Sequence, residues 1–281
     1  MDKGTLLFSV DLEDVRASIK NGDQYQERVP VNTERYLDFL RSHKIKGTFF
    51  VVGKLARQYP DLVKSIVGEG HEIACHSNTH VQLTKQSPES FRRDINDNLE
   101  ALHWAGAENI VGFRAPTFSL TSKTAWAYDI LGDLGFQYSS SVLPAKNPLY
   151  GWPDFGGQPK QMGNGLWEIP ITLHTLPWLN IPVVGGVYFR IIPFFLISFS
   201  VKHHVRENRP ILAYLHPYDI DEEQERFMHP DLSDNKLLNY LMYVNRSKVF
   251  GRLERLRKLC RFSSYQDYIQ EQLEISVLLA S

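Results

Sequence analysis

The chain has 281 residues, with 31 Lys plus Arg against 32 Asp plus Glu, a formal net charge of −1. That balance excludes the markedly basic domain of a nucleic-acid binder. An apolar share of 43% with 22% charged residues excludes the disordered regime, and two cysteines, Cys75 and Cys260, are too few for a disulfide scaffold and point to a reducing compartment.

The N-terminal stretch MDKGTLLFSVDLED meets acids by Asp11 and reads as neither signal peptide nor membrane span, so the expected location is cytoplasmic. An apolar run over 5–10 predicts a first strand. Tyr36, Leu37, Phe39 and Leu40 predict a helix over 33–43, with Asn32 or Thr33 as its N-cap. The β-branched and aromatic run 47–52 predicts a second strand. Leu62, Val63, Ile66 and Val67 predict a helix over 60–68, closed by Gly68 and Gly70. A third strand follows at 72–75, then a helix over 87–105 with Ser87 as N-cap and Pro88 at its first position. A short strand at 112–114, a helix over 122–134 and strands at 136–139 and 167–170 come next. A helix over 193–207 and a strand over 210–215 close the series.

Strand–helix alternation with short links implies parallel pairing, in a doubly wound sheet or a barrel. The Gly-, Pro-, Asn- and Gln-rich stretch 143–165 reads as a long loop. No linker divides the chain, so a single domain is expected over 1–281, with a core over about 5–220 and a helical extension, 221–281, packing on it. The most apolar stretch, 183–201, carries Arg190 and Pro193 and reads as buried core or an interfacial element. Residues 246–261 hold seven basic residues and one Glu, a local net of +6, with Leu253, Leu256 and Leu259 at helical spacing. This is a solvated helix face, or else a peripheral contact with an anionic membrane or a phosphorylated carrier.

Acids, histidines and an arginine fall at predicted strand ends, where parallel α/β architectures build their sites. The first strand ends in Asp11-Leu12-Glu13-Asp14, the third in His76-Ser77-Asn78-Thr79-His80, the fourth in Arg114 and the last in His216. Two histidines four apart on a tight loop can face one point. With a carboxylate from another strand they form a set that leaves open positions on a divalent ion. In an extended strand 11 and 13 share a face and 14 points away, which favours Glu13; the strand ends near here, which leaves Asp14 as the alternative.

At these residues the chain resembles the polysaccharide deacetylase family (carbohydrate esterase family four). The first motif is met by Asp11-Leu12-Glu13-Asp14, with Asp-x-Glu-Asp in place of two adjacent aspartates. The second is met by His76-Ser77-Asn78-Thr79-His80 and the third by Arg114-Ala115-Pro116-Thr117-Phe118. The stretch 134–141 and Leu215-His216 resemble the fourth and fifth, and Gly47-Thr48-Phe49-Phe50 is also typical. The variant, with Gly185-Gly186-Val187-Tyr188-Phe189-Arg190 and His216-Pro217-Tyr218-Asp219, resembles a branch found in bacterial exopolysaccharide and O-antigen clusters.

The resemblance implies a distorted (β/α) barrel with fewer than eight strands. It implies hydrolysis of an N-acetylated sugar that is nucleotide-linked, lipid-linked or part of an oligosaccharide, in surface-glycan biosynthesis. A divalent metal is implied, zinc by default, with iron, cobalt and nickel also fitting; its ligands would be His76, His80 and Glu13 or Asp14. Asp11 would be the general base, Arg114 its orienting partner and His216 the general acid. The fourth region lacks the acid that normally orients the histidine, so Asp219 or Glu168 is expected to substitute. Phe118, Tyr188, Trp167 and Asp219 are the expected substrate contacts, while Trp152, Trp178 and Phe189 read mostly as core. His174 is either a loop histidine or a pocket residue, and His103, His203 and His204 read as surface. Other readings on the same fold are opening of a cyclic amide or ureide, some without metal, and glycan binding without catalysis.

Overall fold

The computed structural model describes residues 3–147, 150–176, 179–230, 232 and 234–280, the last seven through their backbone. Trp178 lies outside the described residues. The strands are β1 (Gly4–Leu12), β2 (Thr48–Val51), β3 (Glu72–Cys75), β4 (Gly112–Phe113), β5 (Tyr138–Ser139), β6 (Lys160–Gln161), β7 (Trp167–Glu168), β8 (Val184–Gly185), β9 (Ile211–Leu215) and β10 (Cys260–Ser263). The helices are α1 (Val29–His43), α2 (Gly53–Gln58), α3 (Pro60–Gly68), α4 (Pro88–Trp104), α5 (Ala127–Asp133), α6 (Gly186–Ile191), α7 (Phe194–Arg206), α8 (Lys236–Leu241), α9 (Val249–Arg257) and α10 (Tyr265–Ala280).

The strands form one sheet in the order β6-β7-β5-β4-β3-β2-β1-β9-β8, parallel except for the β6–β7 pair. It is the expected distorted α/β barrel, left open at its edges. The strand number departs from expectation: ten among the described residues, not fewer than eight. Two-residue strands such as β6 and β8 are too short to leave a period-two signal, and β10 lies inside the basic run. One side of β1 serves two partners. Gly4 to Leu7 pair with β10, and Ser9 to Leu12 pair with β2. β7, the last parallel strand on one side, and β8, the edge strand on the other, share no ladder. Thr172 bridges the gap, its carbonyl accepting from Val183 N at 2.9 Å and its hydroxyl accepting from Leu212 N at 3.0 Å.

The alternation of β1 sorts its side chains into two layers. Leu6, Phe8, Val10 and Leu12 pack outward under the helices, in a core cluster with Leu37 and Leu40 of α1, Ile197 and Val201 of α7, and Leu253 and Leu256 of α9. Leu7 faces the barrel interior with Phe50, Ala74, Tyr138, Ile169 and Leu212. Into that interior come Tyr265, Tyr268 and Ile269 of α10, which close the amino-terminal end of the barrel. Each such burial contributes about 1.5–3 kcal/mol. The C-terminal segment thus inserts a strand and a plug into the barrel, where an external helical extension was expected.

Local signals held where they were strong. Ser87 caps α4, accepting from Ser90 N at 3.2 Å. The helix predicted from 33 begins four residues earlier, at Val29, so Asn32 and Thr33 are interior residues and not caps. Both are buried and satisfied: Asn32 Nδ2 donates to Asp221 at 2.9 Å, and the Thr33 hydroxyl donates to the Val29 carbonyl at 2.7 Å. The basic run is largely structural. Arg246 is buried and donates to the Asp221 and Met242 carbonyls, and Arg252 donates to those of Phe189 and Ile192. Arg257 pairs with Glu254 and Arg261 with Glu271.

Candidate functional site

β1 carries Asp11 into the barrel mouth at 2% exposure and ends in a sharp turn, in which Glu13 N donates to the Asp11 carbonyl at 3.1 Å. Asp14 turns away from Glu13. Its carboxylate caps the single 3-10 turn Val15–Ser18 by accepting from Arg16 N at 3.0 Å, and accepts from the Arg16 guanidinium at 2.6 and 2.9 Å. Of the two carboxylates the sequence left open, Glu13 is the one beside the histidines; Asp14 is held by Arg16.

After β3 the chain makes a tight loop, with Ser77 at φ 62° and His80 at φ 56°. Left-handed backbone is costly for residues other than glycine. Here it is held from several sides: Asn98 Nδ2 donates to Ser77 O at 2.6 Å, Ser77 Oγ accepts from His80 N at 2.9 Å, and Asp94 accepts from Asn78 N and the Thr79 hydroxyl at 2.8 and 2.6 Å. The loop brings the two imidazoles edge to face, with centroids 4.9 Å apart.

Glu13, His76 and His80 offer ligand atoms that all lie within 4.8 Å of one another. The donor set fits a divalent cation. His76 Nδ1 lies 2.8 Å from the Arg114 carbonyl, which fixes the tautomer with Nδ1–H donating and leaves Nε2 for a metal. Burial pushes His76 down to about 4, so its ring is neutral near pH 7, as a ligand must be. Burial opposes the Glu13 carboxylate, but His80, His216 and His76 together hold it well below the usual range. His80 Nε2 lies 2.5 Å from Glu13 Oε2.

Beside this set, Arg114 is buried at the end of β4. Its guanidinium donates to Asp11 Oδ1 at 2.5 Å, Ser9 Oγ at 2.8 Å, Ser140 O at 3.2 Å and the Tyr265 hydroxyl at 2.7 Å. It also lies 3.9 Å over the Phe50 ring. Asp11 is therefore aimed by an arginine that is itself fixed on every side. Tyr265 was not found from the sequence, because nothing local marks a residue that reaches the site from the far end of the chain.

His216 follows β9. Its Nδ1 lies 2.9 Å from Asp219 Oδ2, and Asp219 Oδ1 lies 3.0 Å from Arg190 Nε. Burial lowers the His216 pKa, but the hydrogen bond and charge of Asp219 outweigh it and raise it to about 9. Burial likewise opposes the Asp219 carboxylate, and Arg190 then brings it down to about 2. Asp219 is the acid that orients His216. It is fully buried and cannot touch substrate, so its expected role as a substrate contact is corrected. Glu168 lies elsewhere, accepting from Ser141 N and Val142 N at 2.8 and 3.0 Å. The close packing at this corner requires glycine: a Cβ on Gly185 would meet the Tyr214 ring at 2.0 Å, and Gly186 has φ +44°.

A cleft of about 590 Å³ joins these groups, with Asp11, Glu13, His76, His80 and His216 on its floor. Phe118, at φ 53°, lines it, its ring 4.8 Å from that of Tyr214. Tyr188 and Trp167 are absent from its lining; Trp167 packs against the barrel interior and Tyr188 lies on α6. The opposite wall carries Tyr218, His229, Leu232 and Met242 from the C-terminal part, with the Tyr218 ring stacked on His216 at 4.7 Å. His174 and His204 are buried away from the cleft, on Ser200 Oγ and the Leu173 carbonyl, so His204 is not a surface residue.

Residues 21–139 match the family model described as Polysaccharide deacetylase, and residues 140–270 match a domain of unknown function, DUF3473. The region that matches the polysaccharide deacetylase model is directly followed by this second region. Over 73 residues it is 40% identical to the chitooligosaccharide deacetylase of Rhizobium leguminosarum bv. trifolii, which is 26% of this chain and 34% of that protein. The chain thus spans about a third of that curated relative's length. Among solved structures, a "putative polysaccharide deacetylase" from Mycobacterium smegmatis aligns with a TM-score of 0.67 and 18% identity, over 96% of this chain and 91% of that one. Puue allantoinase aligns with a TM-score of 0.63 and 14% identity, over 95% and 89%. At such identities the likeness establishes the fold. No helix among the described residues is long and apolar enough to cross a membrane.

Proposed function

We propose that the protein is a metal-dependent hydrolase that removes the acetyl group from an N-acetylated sugar. The observation that carries this reading is the meeting, in one cleft, of the Glu13–His76–His80 set, the Asp11–Arg114 pair and the Asp219-backed His216. A divalent cation bound by that set supplies Lewis-acid polarisation of the amide oxygen and acidifies water; zinc suits mixed imidazole and carboxylate ligation, as do iron, cobalt and nickel.

The chain's own groups do the rest. Asp11 takes the proton of the attacking water, and Arg114 holds its carboxylate in register. His216, protonated near pH 7, gives its proton to the departing sugar nitrogen; Asp219 keeps Nδ1 engaged so that Nε2 faces the cleft. Phe118 offers an apolar face to the pyranose ring. The regions before and after residue 140 act as one catalytic unit, since Arg114 and Asp11 belong to the first and Tyr265, His216 and Asp219 to the second. The Asp-x-Glu-Asp motif supports a place in exopolysaccharide or O-antigen biosynthesis, acting on a precursor in the cytoplasm.

The test is acetate release from N-acetylated chito-oligosaccharides and nucleotide- or lipid-linked acetamido sugars, with zinc-, iron- or cobalt-loaded protein. Release that stops with a chelator and with Asp11→Asn is expected. The fold shared with an allantoinase keeps one other reading, opening of a cyclic amide or ureide. Ureide turnover without acetate, unaffected by chelators, would decide for it.

A further inference from the structure

Two helices near the cleft expose large apolar side chains. α8 stands between two cleft-lining residues, Leu232 and Met242, and leaves Leu237, Leu238 and Tyr240 exposed at 69%, 46% and 57%. α7 leaves Phe195 and Phe199 exposed at 70% and 56%, one turn apart on one face. The two helices are tied together. Arg190 of α6 donates to the Met242 and Val244 carbonyls at 2.9 and 3.1 Å, Asn245 donates to Arg190 O at 3.1 Å, and α6 leads directly into α7. Strand polarity puts the start of α7 at the catalytic end of the barrel. α6 begins beside His216, where a Cβ on Gly186 would lie 3.9 Å from the imidazole.

Basic groups flank these apolar residues. The aromatic face of α7 continues into exposed Lys202 and Arg206. Arg255 of α9 lies 3.7 Å over the ring of Phe194, next to Phe195, and Lys248 and Lys258 are exposed on the same outward side of α9. Four of the seven bases in the 246–261 run are engaged within the fold. Among the described residues, Lys202, Arg206, Lys248, Arg255 and Lys258 have no carboxylate at ion-pair distance. Exposed aromatic and leucine side chains beside unpaired bases are the chemistry of a surface that inserts shallowly among anionic lipid headgroups. The apolar part reaches the acyl boundary and the bases meet the phosphates.

We propose that the exposed apolar residues of α7 and α8, with the outward bases of α7 and α9, dock this protein on an anionic lipid bilayer, α7 and α9 lying along the membrane surface. The docking does not rest on the deacetylase reading.

The experiment is vesicle co-flotation of the full chain, read without any hydrolysis assay. Phosphatidylcholine vesicles are compared with vesicles containing phosphatidylglycerol, at low and high salt. Binding to the anionic vesicles that falls with salt is expected. Phe195→Ser/Phe199→Ser and Lys248→Glu/Arg255→Glu/Lys258→Glu should each weaken it by about tenfold or more, while thermal unfolding shows both variants folded. The proposal is overturned by equal partition of parent and variants. It is also overturned by no binding to either vesicle, or by a dimer in lipid-free solution that Phe195→Ser/Phe199→Ser dissociates, which would show that a second copy covers the aromatic face of α7. If docking holds and no acetamido sugar is turned over, the deacetylase reading fails and the docking stands.

Discussion

Arg114 donates a 2.7 Å hydrogen bond to the hydroxyl of Tyr265, a residue 151 positions later on the helix that plugs the barrel. The same guanidinium aims Asp11, so the C-terminal segment reaches the candidate base through one buried cation. Tyr265→Phe removes the acceptor and leaves a buried N–H with only Ser140 Oγ, at 3.2 Å. The expected cost is about 1–3 kcal/mol, read as a fall of a few degrees in the thermal midpoint, with cation stoichiometry unchanged. A midpoint equal to the parent's would refute this account of the contact.

The two adjacent acids after β1 make different contacts, and isothermal titration with zinc separates them. Glu13→Gln removes a charged donor from the set with His76 and His80, so stoichiometric binding is expected to vanish, as it should with His80→Ala. Asp14→Asn weakens only the hold on Arg16, so binding is expected to remain near the parent's, with increased proteolysis in the stretch after Val15. Loss of the ion with Asp14→Asn and retention with Glu13→Gln would reverse the assignment.

Much of this site was legible because its determinants are local. Alternation along β1 set Asp11 and Glu13 on the interior face, and acids, histidines and Arg114 at strand ends marked the catalytic edge. What was not legible acts at long range. Tyr265, β10 and the plug lie in a stretch whose charge pattern suggested an external helix. Arg190 sits in an apolar run, and only the fold shows that its charge is spent on Asp219 and two carbonyls. Asp219 was singled out, but its burial between His216 and Arg190 is a tertiary fact, so a substrate contact was expected where a positioning acid stands. Asn32 and Thr33 carried the composition of a cap, yet Asp221, far along the chain, gave Asn32 a partner inside the helix.

Asp219→Asn tests the His216 pair. The folded pKa of His216, about 9, lies above the usual 6.5, so its stabilisation is present in full below about pH 6.5 and is lost as pH rises through about 9. Without the Asp219 charge the imidazole should titrate lower, and that window should shrink from its alkaline end. A cation on Glu13 would remove the Glu13 contribution, but the larger Asp219 contribution would remain. Arg190, fully buried, also loses its counter-charge, a loss of about 3–5 kcal/mol. Imidazole proton NMR across pH 5–10 reads the first effect and denaturant unfolding the second. An unchanged His216 titration would show that another group sets it.

Glu72 gives a second pH effect of opposite origin, remote from the catalytic edge. Its carboxyl is buried under the plug. It accepts from the Tyr138 hydroxyl at 2.6 Å, the Thr48 hydroxyl at 2.5 Å and Gln266 N at 2.9 Å. Burial is the largest influence and raises it from 4.5 to about 7, against the lowering by these donors. The folded chain therefore holds a proton that the unfolded chain releases above about 4.5. The associated stability is complete below that pH and declines as pH rises to about 7, by about 3 kcal/mol at the upper limit. Glu72→Gln is neutral at every pH and keeps an oxygen acceptor for these donors. Its stability should match the parent's near pH 4.5 and exceed it near pH 7.5, since the parent must by then hold a buried charge. Urea unfolding at the two pH values measures the difference. A gap that does not widen with pH would mean that the donors already keep Glu72 ionised and that the plug is insensitive to pH.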